Sequence, residues 1–214
     1  MNYLEIARRT NDTTGFQGVV NSIDSTGYQS TLMSAIKDAY EDIQRYRPDW
    51  DWMKTYRQVN VSDLKQSYTL EELFAGDTVN LAEWLYLNYD YRRMRNIHYD
   101  DYMLTDFSGS TAGEPKLFAI DPATKGLLIS PVDGPYTLDL HYVRTLDKLV
   151  KNTSVPILPA RHHQLIVYGA IVKLSTFIGN GTLYDTYSMK YAEGMGQLMR
   201  EENPAKVIRK RPIA

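Results

Sequence analysis

Cysteine does not occur in the 214 residues, so disulfides, thiolate catalysis and cysteine-ligated zinc are excluded together. No apolar run approaches the roughly 18 residues that a membrane-spanning helix requires. The opening MNYLEIARRTNDTTG lacks the apolar stretch and small-residue cleavage site of a secretion signal. Four sequons, at Asn11, Asn60, Asn152 and Asn180, therefore read as chance matches in a protein made in the cytosol. A dominant sign of charge is missing too. The net charge of −2 gives no overall drive toward nucleic acid or an anionic membrane. No nucleophile elbow, phosphate-binding loop, dinucleotide fingerprint or zinc-protease helix motif is found. The turn Gly179-Asn180-Gly181 is no phosphate cradle, since no lysine follows it.

Histidine is scarce, with His98, His141, His162 and His163 alone. His162 and His163 are adjacent, so on a helix they point about 100° apart and cannot readily share a metal. His141 falls on the polar side of an expected strand. Each histidine reads as structural or exposed. The acid pairs Glu71-Glu72, Asp100-Asp101 and Glu201-Glu202 point apart and read as solvated surface rather than a glycosidase dyad. Arg92, Arg93 and Arg95, among Tyr89, Tyr91 and Tyr99, have the composition of a single-strand stacking platform. The overall charge opposes that reading, and a solvated or subunit-contact surface is preferred. No catalytic, metal or cofactor-binding residue is assigned, no cofactor is expected, and the chain is read as a non-enzyme.

What the chain has in quantity is tyrosine, 17 against five phenylalanines. Tyrosine combines apolar area with a polar tip, which suits interfaces and cores alike. Composition does not choose between them.

Helical periodicity governs both ends of the chain. A short helix is expected over Tyr3 to Arg9. A longer one follows over Tyr28 to Tyr46, with Leu32, Ile36, Ala39, Ile43 and Tyr46 on one face, Ser30 or Thr31 as cap and Pro48 as stop. The aromatic knot Trp50-Asp51-Trp52-Met53 is expected to seal one end of the core. Leu165 to Ile171 is apolar nearly all round, the mark of a central buried helix. After Gly179-Asn180-Gly181, a last helix presents Tyr184, Tyr187, Tyr191, Met195 and Leu198.

The middle of the chain is β-like. Short runs at Thr55 to Val61, Gln66 to Leu70 and Val79 to Asn88 read as strands, Lys116 to Ile120 and Gly126 to Ser130 as a hairpin, and Tyr91 to Leu104 as a helix. Tyr136, Leu138, Leu140 and Tyr142 alternate with Thr137, Asp139 and His141, the clearest strand of all. The connections are too short for parallel crossovers. The expected fold is α+β. Residues 1–53 and 151–203 form an α-helical bundle, 54–150 an antiparallel β-rich insertion, and 204–214 an extended basic C-terminal tail.

Several motifs follow in a recognisable order. Gly113-Glu114-Pro115 leads to Leu117-Phe118-Ala119-Ile120, then to Pro135-Tyr136-Thr137-Leu138 and Leu140-His141-Tyr142-Val143-Arg144. Leu158-Pro159 and His163-Gln164-Leu165 come next, and Ile36-Lys37-Asp38-Ala39-Tyr40 with Trp50 and Trp52-Met53 precede them all. This order resembles the head-to-tail adaptor (connector) family of tailed bacteriophages. The resemblance implies a structural virion protein of the neck, assembled in the host cytoplasm as a ring, typically a dodecamer. Its partners would be the portal above and a tail, nozzle or tube protein below. Packaged double-stranded DNA would pass through the channel without sequence-specific binding, and the ring would help retain it. No membrane partner is implied. The alternatives are another neck or tail-completion protein and, behind it, a peptidoglycan-degrading enzyme.

The tail AKVIRKRPIA carries Lys206, Arg209, Lys210 and Arg211 with no acid. Val207 and Ile208 are interleaved as apolar anchors, so Lys206 to Arg211 is read as a portal-docking arm that fits an acidic groove. The competing reading is a solubilising chain end.

Overall fold

The computed structural model describes residues 1–15, 18, 20–22, 27–47, 50–62, 65–75, 77, 80–104, 113–130 and 132–202. The fold is α+β. It divides into two compact units, Met1–Met53 with Leu146–Ala214 and the intervening Lys54–Thr145.

The first unit is helical. Helix α1 (Tyr3–Thr14) begins in a capping box, in which the Asn2 side chain accepts from the Glu5 amide and Glu5 accepts from the Asn2 amide. It outruns the expected Arg9 because its later buried positions are polar. Thr10 Oγ1 donates back to the Ile6 carbonyl and Asn11 Nδ2 to the Gly18 carbonyl. Helix α2 (Tyr28–Arg45) buries Leu32, Ile36, Ala39 and Ile43. Tyr46 does not join them. It sits at the C-cap, past the last packed turn, and is 58 % exposed. The N-cap is Gly27 without a side-chain bond, so neither Ser30 nor Thr31 caps this helix.

Helix α5 (His163–Ile178) is the axis of the unit, and α1, α2 and α6 (Gly181–Glu202) pack on it. Nine of its 16 residues are buried. Gly169 permits that crowding. A Cβ there would stand 3.0 Å from both the Ala39 methyl on α2 and the Tyr191 ring on α6. Gly179, at φ 70°, ends α5 in the left-handed conformation that glycine adopts without strain. Helix α6 buries only Met195 and Leu198 of its expected face. Tyr184 is exposed and Tyr187 partly so, because α5 is the main element backing that half of the helix. The aromatic knot closes the unit as expected. Trp50 is fully buried, donates Nε1–H to the Ile43 carbonyl and stacks on Trp52 at 5.9 Å.

The second unit holds two four-stranded sheets. In the first, β1 (Lys54–Val61), β8 (Tyr136–Arg144), β3 (Leu81–Tyr89) and β4 (Arg92–Arg93) follow in that spatial order, all antiparallel. In the second, β2 (Ser67–Tyr68), β7 (Leu127–Ser130), β6 (Leu117–Ile120) and β5 (Arg95–Asn96) do so. The β5–β6 pair is parallel, an exception to the antiparallel expectation, and it is two residues long. Strand β8 buries Leu138, Leu140 and Tyr142, the face its alternation predicts. Phe74, Trp84 and Tyr142 meet edge-on or tilted at 5.4–6.4 Å to fill the core.

Two segments differ from expectation. Tyr91 to Leu104 is not one helix. Asp90 and Tyr91, at φ 45° and 60°, reverse the chain in a tight turn, so Arg92 and Arg93 pair back on Tyr89 and Asn88. A helix, α4 (Tyr99–Leu104), starts only after β5. Helix α3 (Leu70–Phe74) occupies the stretch just after β2 and was not expected. Its capping box, Thr69 with Glu72, is nonetheless present in the sequence.

Replacing Ile166, which is fully buried on α5, with alanine is expected to lower unfolding stability by about 2–5 kcal/mol. Gly169→Ala should cost roughly 1–3 kcal/mol through overpacking. Denaturant melts that leave both variants at the wild-type midpoint would remove α5 from the centre of the bundle.

Candidate interaction surfaces

The docking arm Lys206, Val207, Ile208, Arg209, Lys210 and Arg211 lies outside the described residues. Its root is described. The last turn of α6 is fastened to the short turn that leads into α5 by a cluster around Arg161, whose Nε lies 2.7 Å from Glu201 Oε2 and whose Nη2 lies 3.2 Å from Glu202 Oε1. His162 Nε2 contacts the same Glu201 oxygen at 3.0 Å, and Gln197 donates to the other at 2.8 Å. The Gln197 hydrogen bond, followed by those from His162 and Arg161, holds the Glu201 carboxyl below the usual carboxylate range. The cluster thus fixes the residues from which the arm departs.

The histidines divide between burial and exposure. His163 is buried, its Nε2 2.8 Å from the Leu158 carbonyl and its Nδ1 2.7 Å from the Met1 amine. A carbonyl accepts and an ammonium donates, so the pair of partners selects the neutral ring protonated at Nε2. Burial, with the Met1 ammonium adding to it, pushes the His163 pKa down. His98 is exposed beside Asp100. The acid pairs have structural partners: Glu72 closes the capping box of α3, and Glu201 and Glu202 both engage Arg161. Among the described residues, no group of three or more histidines and carboxylates is placed to hold a metal ion. No helix among them is long and apolar enough to cross a membrane.

The tyrosines serve both purposes that composition left open. Tyr3, Tyr40, Tyr68, Tyr102 and Tyr142 are buried, each with a partner for its hydroxyl. Tyr40, for example, donates to Asp147 and accepts from the Ile157 amide. Others are presented outward. Tyr91 is 98 % exposed at the tip of the β3–β4 turn, beside exposed Arg92, Arg93 and Arg95.

On the helical unit, exposed apolar side chains concentrate at the end of α5 and the first half of α6, where Phe177, Ile178, Tyr184 and Met189 face solvent. Beside them runs a shallow groove of about 400 Å³ between α2 and α5. Thr31, Ser34, Ala35 and Asp38 line its α2 side, at the one-face spacing i, i+3, i+4, i+7, and Phe177 stands at its edge. Small residues beside an exposed aromatic suit the side chains of another protein. Helical periodicity groups Tyr184, Tyr187 and Tyr191 with Met195 and Leu198 on one face and does not show that half of that face stays exposed. The signal that could have found it is the shortage of large apolar residues on α6 outside that single stripe.

These surfaces offer contact chemistry: apolar side chains, arginines and stacked rings spread over two units. The family model described as SU10 adaptor protein matches residues 1–210. The chain therefore belongs to the SU10 adaptor family, a family of phage head-to-tail adaptors and not of enzymes. No curated protein matches it.

The His163 linkage has a definite sign. Its folded pKa lies below the unfolded value of 6.5, so the folded state refuses a proton that the unfolded chain takes up. Its contribution is fully present above pH 6.5 and declines as pH falls below that value toward the folded pKa. Stability should fall over this window in wild type, and His163→Asn should be less stable at neutral pH with a flatter profile. Denaturant melts across pH 5 to 8 would show it, and identical slopes in the two proteins would contradict it.

Proposed function

We propose that the chain forms a ring beneath the portal, joins the portal to the tail, and helps retain packaged DNA once the packaging motor has left. The observation that carries this reading is the extent of the family match. Residues 1–210 span both units and most of the tail, so the adaptor character belongs to the whole chain rather than to one module.

The geometry supports the reading in two ways. A closed ring needs two different patches on each copy, because head-to-tail contacts are heterologous. The exposed Phe177, Ile178, Tyr184 and Met189, together with the adjoining groove between α2 and α5 that Phe177 also lines, supply one such patch, with apolar contact area of the kind a stable interface uses. Such interfaces bury more than about 1,000 Å² in total. The second support is the root of the tail. With Glu201 and Glu202 fastened to Arg161, the following cations leave from a defined point. Arg209 and Arg211 would take carboxylates in fork geometry, while Val207 and Ile208 fill apolar hollows. The site for that arm is an acidic groove on the portal.

Deleting residues 205–214 tests the docking. The truncated protein should bind isolated portal rings more weakly, and binding by the full chain should weaken as salt rises. Equal affinity and equal salt dependence for the two proteins would return the tail to a solubilising role. In parallel, mass in solution with and without portal rings should show assembly on the portal.

A further inference from the structure

The solvent face of the first sheet carries an ordered row of planar groups. On β1, Tyr56, Gln58 and Asn60 are exposed, while Thr55, Arg57 and Val59 turn to the other side. On β8, Thr137, Asp139 and His141 share the outward face. The register sets Tyr56 opposite His141 and His141 opposite Tyr86. The rings stack accordingly, Tyr56 on His141 at 5.6 Å with 26° between planes, and His141 on Tyr86 at 4.3 Å with 21°. Arg93, opposite Asn88 on β4, leans diagonally to bring its guanidinium 4.7 Å from the Tyr86 centroid. Each of the four strands thus gives one planar group to a continuous stack.

The stack borders an open concavity of about 480 Å³, lined by Lys54, Tyr56, Tyr86, Arg93 and His141 among others, with no carboxylate among its described lining residues. Arg93 makes no ion pair among the described residues. The nearest acid in the adjoining row, Asp139, stands opposite Asn88 and accepts from Gln58 Nε2 at 2.9 Å. A guanidinium held over a tyrosine ring by its central carbon still has N–H groups free to take a carboxylate through two parallel hydrogen bonds. The contact with that ring restrains the side chain before binding, so less of its freedom is lost on binding.

We infer that this face receives an acidic protein segment, with an Asp or Glu carboxylate in the fork of Arg93 and the following residues along the exposed edges of the Tyr86, His141 and Tyr56 rings. The choice of protein over DNA follows from the spacing of charge. A duplex presents a phosphate charge every ~1.7 Å of its axis and is held by a track of cations. Here Arg93 and Lys54 share the face with Glu83 and Asp139, which suits one anionic group rather than a charged rail. That the segment belongs to another neck subunit rests on the proposed adaptor role. The surface chemistry does not.

The test is a titration of the full chain, isotope-labelled for NMR, with a capped hexaglutamate peptide, its hexaglutamine counterpart and a short random-sequence DNA duplex. Hexaglutamate should shift the amides of residues 56, 86, 93 and 141, and hexaglutamine should not. Arg93→Ala should weaken hexaglutamate binding about tenfold, the scale of a charge-assisted hydrogen bond. Arg93→Lys, which keeps charge and the strand position, should recover little of the loss because it lacks the fork. Full recovery by lysine would overturn the fork geometry. Shifts outside this face, or binding indifferent to Arg93→Ala, would overturn the site. Tighter, Arg93-dependent binding of the duplex would overturn the protein assignment in favour of nucleic acid. No phage component enters the titration, so its result is independent of whether the chain forms a neck ring.

Discussion

Helix α5 is apolar on nearly every side, and a helix of that kind cannot lie on a surface. Its side chains must be covered from several directions at once. The cover comes from both ends of the chain, α1 and α2 from before the β-rich stretch and α6 from after it. The demand for close approach explains Gly169, where a Cβ would press on Ala39 and Tyr191 at 3.0 Å. Buried His163 accordingly has a partner on each ring nitrogen. An unpaired polar group in such surroundings costs more than the pairing yields. The contrast with α6 is instructive. Covered chiefly by α5, its first half keeps an exposed surface, and an adaptor has use for one.

The β-rich unit solves a different problem. Strand β8 lies between β1 and β3, and its alternation gives the sheet a buried face and an open one. The buried face takes Leu138, Leu140 and Tyr142 into the core with Trp84 and Phe74. The open face keeps Thr137, Asp139 and His141, and cross-strand neighbours turn these into hydrogen-bonded and stacked pairs, such as Thr137 with Asn60 and His141 with Tyr86. Tyrosine suits both faces, which is one physical reason for its excess over phenylalanine.

Sequence periodicity was enough for the elements whose pattern is carried by large apolar residues. The four-residue face of α2, the all-round apolar α5 and the alternating β8 are of this kind. It failed where the deciding interaction is not apolar. The later turns of α1 rest on Thr10 and Asn11, whose side chains bond back to the main chain. The reversal at Asp90 and Tyr91 uses left-handed backbone in residues that seldom adopt it. Helix α3 announces itself only by its capping box. The candidate surfaces were legible to different degrees. The charge of the tail is plain from Lys206 to Arg211, and those residues lie outside the described structure. The stack through Tyr56, His141, Tyr86 and Arg93 could not be read in advance, because residues so far apart in sequence become neighbours only through strand register.

We propose that this member of the SU10 adaptor family works as a ring at the portal vertex. Imaging of purified virions by electron cryomicroscopy, averaged at that vertex, tests it most directly. A closed ring of this chain is expected directly beneath the portal, with the helical groove and the exposed end of α6 covered by neighbouring subunits. One or two copies at the vertex, or a ring in which those surfaces face open solvent, would contradict it.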